Sequence, residues 1–108
     1  MTFRQLKQMK NQIIKEKITQ IEAEMKNSNL WQNEPLSQDA YACKEAFCAD
    51  TMIFEQWLQF IFIPRVYEIL DTDGVWPQSS QVGVYAIKNT DNERLVRLLG
   101  ELDKFICE

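Results

Sequence analysis

Histidine is absent from this chain, so the side chains able to do chemistry are its carboxylates and its thiols. Without an imidazole there is no Ser-His or Cys-His nucleophile pair and no His-zinc site. Paired carboxylates still suffice for acid–base work, as in glycoside hydrolysis. The candidate pairs are Asp71 with Asp73 and Asp50 with Glu55. Each lies at a turn or a helix start, where Asp and Glu are favoured by capping and by the helix dipole alone. A carboxylate-dependent enzyme is thus the weakest of the functional readings. The segment Asp71-Thr72-Asp73-Gly74 has the look of a calcium loop. Setting Gly74 at that loop's glycine, however, puts Ile69 and Ser80 at ligand positions that require carboxylates. It reads as a turn. The cysteines Cys43, Cys48 and Cys107 are odd in number and lack the paired knuckle spacing of a metal site, so they read as free thiols of a reducing cytosol. No phosphate loop, dinucleotide fingerprint or nucleophile elbow occurs, and there are only three glycines from which to build one. The expectation is a protein with no catalytic residues, no cofactor and no metal.

Binding is the better prospect. Trp31, Tyr41 and Trp76 fall in or near loops and, with Arg65, are the candidates for a partner-facing surface. Trp57, Phe60 and Phe62 lie in the most apolar stretch and are expected in the core. Arg4, Lys7, Lys10, Lys15 and Lys17 form the one patch suited to phosphate, but Glu16, Glu22 and Glu24 share their helix. That set reads as a solvated face, with the stems of Lys7, Lys10 and Lys17 flanking an apolar stripe. The net charge of −4 divides unevenly. Residues 1–26 hold six basic and three acidic side chains, and residues 27–108 hold six basic and thirteen acidic. A segment of +3 against a body of −7 favours docking between the two, and the acidic total disfavours non-specific nucleic-acid binding.

The elements that must position these residues are helical. At 108 residues the chain makes one domain, expected over 1–108. Its start, MTFRQLKQMK, leads into no signal-peptide core, and its longest apolar run, Phe60 to Pro64, is far short of the ~20 residues that span a bilayer. A cytoplasmic protein is expected. Phe3, Leu6, Met9, Ile13, Ile14, Ile18, Ile21 and Met25 recur at helical spacing and predict one long amphipathic helix, ended before Glu34 by Pro35. Residues 34–49 lack a period and predict a loop with short helical turns; Asp50 or Thr51 is the expected cap of the next helix. Residues 52–63 are apolar around most of the helical circumference and predict a central helix touched on several sides. Beyond Pro64 the apolar side changes: Val66, Tyr67 and Leu70 fall opposite Trp57 and Ile61. A kink or a new start near Pro64 accommodates that change. Ser79 or Ser80 is placed to cap a short helix through Val82, Tyr85 and Ile87. Thr90 with Glu93 forms a capping-box pattern ahead of a last helix carrying Leu95, Leu98, Leu99, Leu102, Phe105 and Ile106. No segment alternates as a strand does. The fold class is all-α, a bundle of four to five helices.

Trp31, Asn33-Glu34-Pro35, Phe47, Asp50-Thr51-Met52 and WLQFIFIPR at residues 57–65 together give a pattern that resembles the YqcC-like family, small uncharacterised proteins of gamma-proteobacteria. The resemblance covers nearly the whole chain and is densest from Asp50 to Arg65. Two departures are Ala46, where relatives often carry proline, and the lack of proline near Val84. The resemblance implies a small helical bundle and brings no assigned catalytic residues. Genes of the family often neighbour a tRNA pseudouridine synthase, which implies a link to tRNA modification. Two functions emerge as expectations. The first is a non-catalytic accessory module that binds a protein partner; the second is an RNA-associated accessory of tRNA pseudouridine formation.

Overall fold

The first helix, α1 (Phe3–Asn27), opens with a capping box: the Thr2 hydroxyl accepts the Gln5 N–H at 3.2 Å, and Gln5 Oε1 accepts the Thr2 N–H at 2.9 Å. In this computed structural model, which describes residues 2–107, the helix continues unbroken for 25 residues, about 37 Å at 1.5 Å per residue. Residues 1 and 108 of the expected 1–108 domain lie outside the described residues. The segment from residue 34 to 49 is a loop with two short 3₁₀ turns, Gln38–Tyr41 and Ala46–Cys48, as its irregular pattern predicts. A helical rod comes next, made of α2 (Phe54–Trp57), a π turn (Leu58–Phe62) and α3 (Ile63–Thr72). Then come α4 (Val82–Asn89) and α5 (Glu93–Cys107). No strand occurs among the described residues, and the fold is all-α.

Helices α1 and α5 make the centre. Ile14, Ile18, Ile21 and Met25 of α1 and Leu95, Leu99 and Leu102 of α5 are fully buried. Polar contacts along their flanks fix the direction. Lys10 Nζ donates to the Ile106 carbonyl at 3.3 Å, Lys17 pairs with Glu101, and Glu24 pairs with Arg94 at 3.1 Å. Rising numbers on α1 meet falling numbers on α5, so the two run antiparallel. The apolar stretch over residues 52–63 predicts a helix touched on several sides, and the rod is so placed. Phe54, Leu58 and Ile63 are buried, but Phe60, Ile61 and Phe62 are only partly covered and Ile53 is exposed. Trp57 and Ile61 pack on a second apolar cluster made by Ala40, Cys48 and Met52 of the preceding loop, and the Phe54 ring lies 5.5 Å from that of Tyr85 in α4.

The change of apolar face at Pro64 is resolved by the π turn. The Ile63 N–H bonds to the Leu58 carbonyl, one residue further back than in an α-helix, and Pro64 sits in the first turn of α3. Gln59, a polar residue within this apolar stretch, is buried and joins two segments. Its Oε1 accepts the Gln32 N–H at 2.9 Å, and its Nε2 donates to the Gln32 carbonyl at 2.8 Å, which clamps the chain after α1 to the rod.

Three caps differ from expectation. Asp50 caps no helix; its carboxylate accepts the N–H groups of Lys44 at 3.0 Å and Glu45 at 3.3 Å, and Thr51 donates to the Ala40 carbonyl at 2.6 Å. The rod starts at Ile53, whose N–H is taken by Gln56 Oε1 at 3.0 Å. Neither Ser79 nor Ser80 caps α4. Asp103 of α5 does so from across the interface, accepting the Gly83 N–H at 2.7 Å and the Ser80 hydroxyl at 2.5 Å. For α5 the cap is Asn92, whose Oδ1 accepts the Leu95 N–H at 3.0 Å, and Thr90 in turn holds the Asn92 N–H.

The cysteine reading also changes. Cys43 and Cys48 are joined by a disulfide, and only Cys107 is free. The 3₁₀ turn bends the chain back until the two Cα atoms are 5.0 Å apart, a normal bridging distance. The thiols therefore no longer argue for a reducing compartment. No described helix is long and apolar enough to cross a membrane.

Candidate interaction surface

The four side chains expected to face a partner do not form one surface. Tyr41 is 48% exposed at the end of its 3₁₀ turn, and Arg65 is exposed on α3. Trp31 is half-buried against the main core, with Lys26 Nζ 4.9 Å above its ring. Trp76 is a correction. It is only 9% exposed, and its indole N–H donates to Asn11 Oδ1 at 2.8 Å. Its loop folds back onto α1 and carries the ring inward. Among the described residues no hydrogen bond, ion pair or ring contact joins any two of the four.

Several carboxylates are held in structural hydrogen bonds and ion pairs. The Lys44 amide holds the Asp50 carboxyl below the usual aspartate range. The Ser28 hydroxyl, then the Asn92 amide, lower Glu24; its hydrogen bonds from these two are 2.6 and 2.9 Å long. Lys17 lowers Glu101. Asp73, one of the pair considered for acid–base work, accepts from Asn11 at 3.3 Å and meets Lys7 at 3.4 Å. Among the described residues no group of three Cys, Asp or Glu side chains converges as a metal site requires.

The basic face of α1 turns largely onto its own protein. Lys7 donates to the Asp73 carbonyl at 2.9 Å, Lys10 to the Ile106 carbonyl, and Lys17 to Glu101. Their spacing predicts that the stems of these lysines flank an apolar stripe. That stripe, however, is buried only from Ile14 onward. Phe3 is 93% exposed, Leu6 50% and Met9 52%. Over its 15 described residues, about 22 Å, α5 runs alongside only part of this 25-residue helix. Lys10 meets the Ile106 carbonyl near the described end of α5, and the first turns of α1 lie beyond that contact. Between them and the loop after α3 lies an open groove of about 440 Å³, lined by Phe3, Leu6, Val75, Trp76, Pro77 and Ile106 among others. Helical spacing puts Phe3, Leu6 and Met9 on one face with Ile14 and Ile18, and spacing alone does not separate the covered part of that face from the exposed part.

An antiparallel α1–α5 core carrying a π-bulged rod and the short helix α4 defines a small all-α protein. The family model described as "DUF446: tRNA pseudouridine synthase C" matches residues 13–105. The chain belongs to this family. Its YqcC-like character is shown by its relatives. It is 36% identical over 77 residues to an uncharacterized protein of Haemophilus influenzae, covering 71% of this chain and 72% of that protein. It is 29% identical over 86 residues to uncharacterized protein YqcC of Escherichia coli, covering 78% and 79%. The solution NMR structure of that YqcC superposes with a TM-score of 0.80 over 92% of this chain and 89% of that one, at 21% identity, and is alike in fold. A different relationship links the chain to tRNA pseudouridine synthase C of Pectobacterium carotovorum. There 66 residues match at 36% identity, 61% of this chain but 18% of that protein, so the chain spans less than a fifth of its length.

Proposed function

We propose that this chain is a non-catalytic helical accessory module of the cytoplasm that binds a protein partner, and that the partner is a tRNA pseudouridine synthase. One observation carries the reading: a stretch similar to this chain makes up 18% of a longer polypeptide named tRNA pseudouridine synthase C. A module that in one organism is part of the same polypeptide as an enzyme is a natural non-covalent companion of that enzyme elsewhere, because covalent linkage raises the effective concentration of a weak complex. Four carboxylates support a non-catalytic role: Glu24, Glu101 and Asp73 are engaged in ion pairs, and Asp50 accepts the Lys44 and Glu45 N–H groups. The compartment is inferred from tRNA as the substrate of the partner and not from the cysteines.

A direct RNA-binding accessory is the second reading, and the +3 segment over residues 1–26 favours it. The inward turn of Lys7, Lys10 and Lys17 weighs against it. One experiment separates the two. The purified chain is titrated by calorimetry into the tRNA pseudouridine synthase of its own organism, and separately into tRNA at low and high salt. A saturable complex with the synthase at micromolar concentration, with no salt-steep binding to tRNA alone, is the expected result. Absence of any complex at tens of micromolar sinks the protein-binding reading. Steeply salt-dependent binding to tRNA alone replaces it with the second.

A further inference from the structure

We infer that the groove at the projecting end of α1 is a docking site for an acidic amphipathic helix of a protein partner. The inference deepens the reading above and rests on its protein-binding part. Four of the eight large apolar side chains exposed among the described residues gather at this end: Phe3, Leu6 and Met9 on α1 and Val75 on the facing loop. Phe3, Leu6 and Val75 line one concavity whose floor includes Trp76, Pro77 and Ile106. An apolar concavity beside an exposed helix is the geometry that receives the i, i+3, i+4, i+7 face of a second helix.

Charge selects which helix. Residues 2–15 carry Arg4, Lys7, Lys10 and Lys15 and no acid. Helix starts normally carry Asp or Glu against the dipole, yet the first turn of α1 has none and holds Arg4. That arrangement is unfavourable for the helix alone and becomes favourable when negative charge arrives from outside. The acid nearest the groove, Asp73, is already matched by Lys7 and Asn11. A second copy of this chain fits poorly, because pairing α1 with α1 sets Arg4, Lys7 and Lys10 against themselves. Nucleic acid fits less well, since Phe3 is the one exposed ring among the groove's described residues, and Leu6, Met9 and Val75 offer no stacking face. A lipid surface is flat, and the groove is concave.

The test uses the whole chain and three synthetic 16-residue peptides. The first is an amphipathic helix with Leu and Phe on one face and Glu elsewhere. The second replaces each Glu by Lys, and the third scrambles the apolar positions. Binding is read from amide chemical shifts of the labelled protein, with Leu6→Glu and Val75→Asp as variants. Both replaced side chains are at least half exposed, so the fold is retained. The acidic peptide is expected to shift the amides of residues 3–10, 74–78 and 106–107 saturably, at least tenfold more tightly than either control. Each variant is expected to lose that binding tenfold or more. Equal binding of the Lys peptide, or undiminished binding to both variants, overturns the inference. So does tighter association with anionic phosphatidylglycerol vesicles, with tRNA, or with a second copy in sedimentation. The synthase titration keeps the two readings distinguishable. If the synthase binds Leu6→Glu at full affinity, the groove is refuted and the partner stands. If the acidic peptide docks and the synthase does not, the groove stands and the partner is refuted.

Discussion

Replacing Gly83 by alanine tests the close crossing of α4 and α5. Helices α4 and α5 cross where Gly83 meets Gly100, and a Cβ built on Gly83 falls 2.6 Å from the Gly100 Cα and N atoms. Carbon atoms pack favourably at about 3.5–4.0 Å, so the two backbones have to part by about 1 Å. Both are main chain, and neither can rotate aside. Overpacking of this kind costs about 1–3 kcal/mol. The same displacement draws the Gly83 N–H away from Asp103 Oδ2, a 2.7 Å bond to a buried carboxylate, and such a bond contributes about 1.5–3 kcal/mol. Against these stands the helix propensity gained on leaving glycine, at most about 1 kcal/mol. The net expectation is a loss of about 2–4 kcal/mol, or roughly 10–20 °C in Tm for a domain of this size. Gly100→Ala is the control. A Cβ there meets nothing within 4 Å, so that variant is expected to gain about 0.5–1 kcal/mol. Urea unfolding followed by circular dichroism at matched conditions measures both. If Gly83→Ala is as stable as the parent, or if Gly100→Ala is the more damaging change, the close crossing of α4 and α5 is wrong.

Three further outcomes are expected. Asp103→Ala leaves the Gly83 N–H and the Ser80 hydroxyl without their acceptor and should lower stability by about 2–4 kcal/mol, with hydrogen exchange at the Gly83 amide accelerated; slow exchange there in the variant contradicts the cross-interface cap. Gln59→Leu removes the double clamp on Gln32 and should cost about 1–3 kcal/mol, with faster exchange of the Gln32 amide ahead of the α1 and α5 amides. Glu24, Asp50 and Glu101 all titrate lower in the folded chain than their ordinary values of 4.5, 3.8 and 4.5. Their contribution is therefore fully present above those ordinary values and is lost as pH falls through the lower folded ones. The urea midpoint should hold steady down to about pH 5 and then decline, and Glu24→Gln should shallow the decline; a midpoint unchanged to pH 2 contradicts the assignment.

Periodicity identified the helices because burial on one face repeats locally: Ile14, Ile18, Ile21 and Met25 mark α1, and Leu95, Leu99 and Leu102 mark α5. Periodicity leaves out anything decided by a partner distant in the chain. Ser79 and Ser80 are ordinary caps by type, but α4 is capped by Asp103 some twenty residues on, which only the folded interface brings near. Trp76 sits in a loop, and loops suggest exposure; Asn11, 65 residues away, draws it inward. Thr90 gave way to Asn92 because both can cap and the start of α5 differs between them by two residues, within the usual play of helix ends. The candidate surface suffered most. Aromatic residues in loops pointed to four separated side chains, whereas the groove depends on which part of α1 the described residues of α5 run alongside, and not on any residue type.

The π turn and the groove are connected. An α-helix running straight through Pro64 would set Val66 and Leu70 on the side opposite Trp57 and Ile61, and one of the two sets would face water. One residue added to a single turn rotates everything after it by about 100° relative to an unbroken α-helix, which brings Ile63 and Val66 to the core beside Phe54 and Leu58. The addition is cheapest next to Pro64, because proline has no N–H and the α ladder is broken at that point anyway. With its face corrected, α3 runs antiparallel to α1, ends at Asp73 in the left-handed region, and delivers that residue to Lys7 and Asn11. The chain leaving Asp73 is then held against the first turns of α1, where Trp76 bonds to Asn11 and Val75 and Pro77 complete the groove wall. A local change of register in the rod thus sets where the second wall of the docking surface stands. The projecting end of α1 supplies the first.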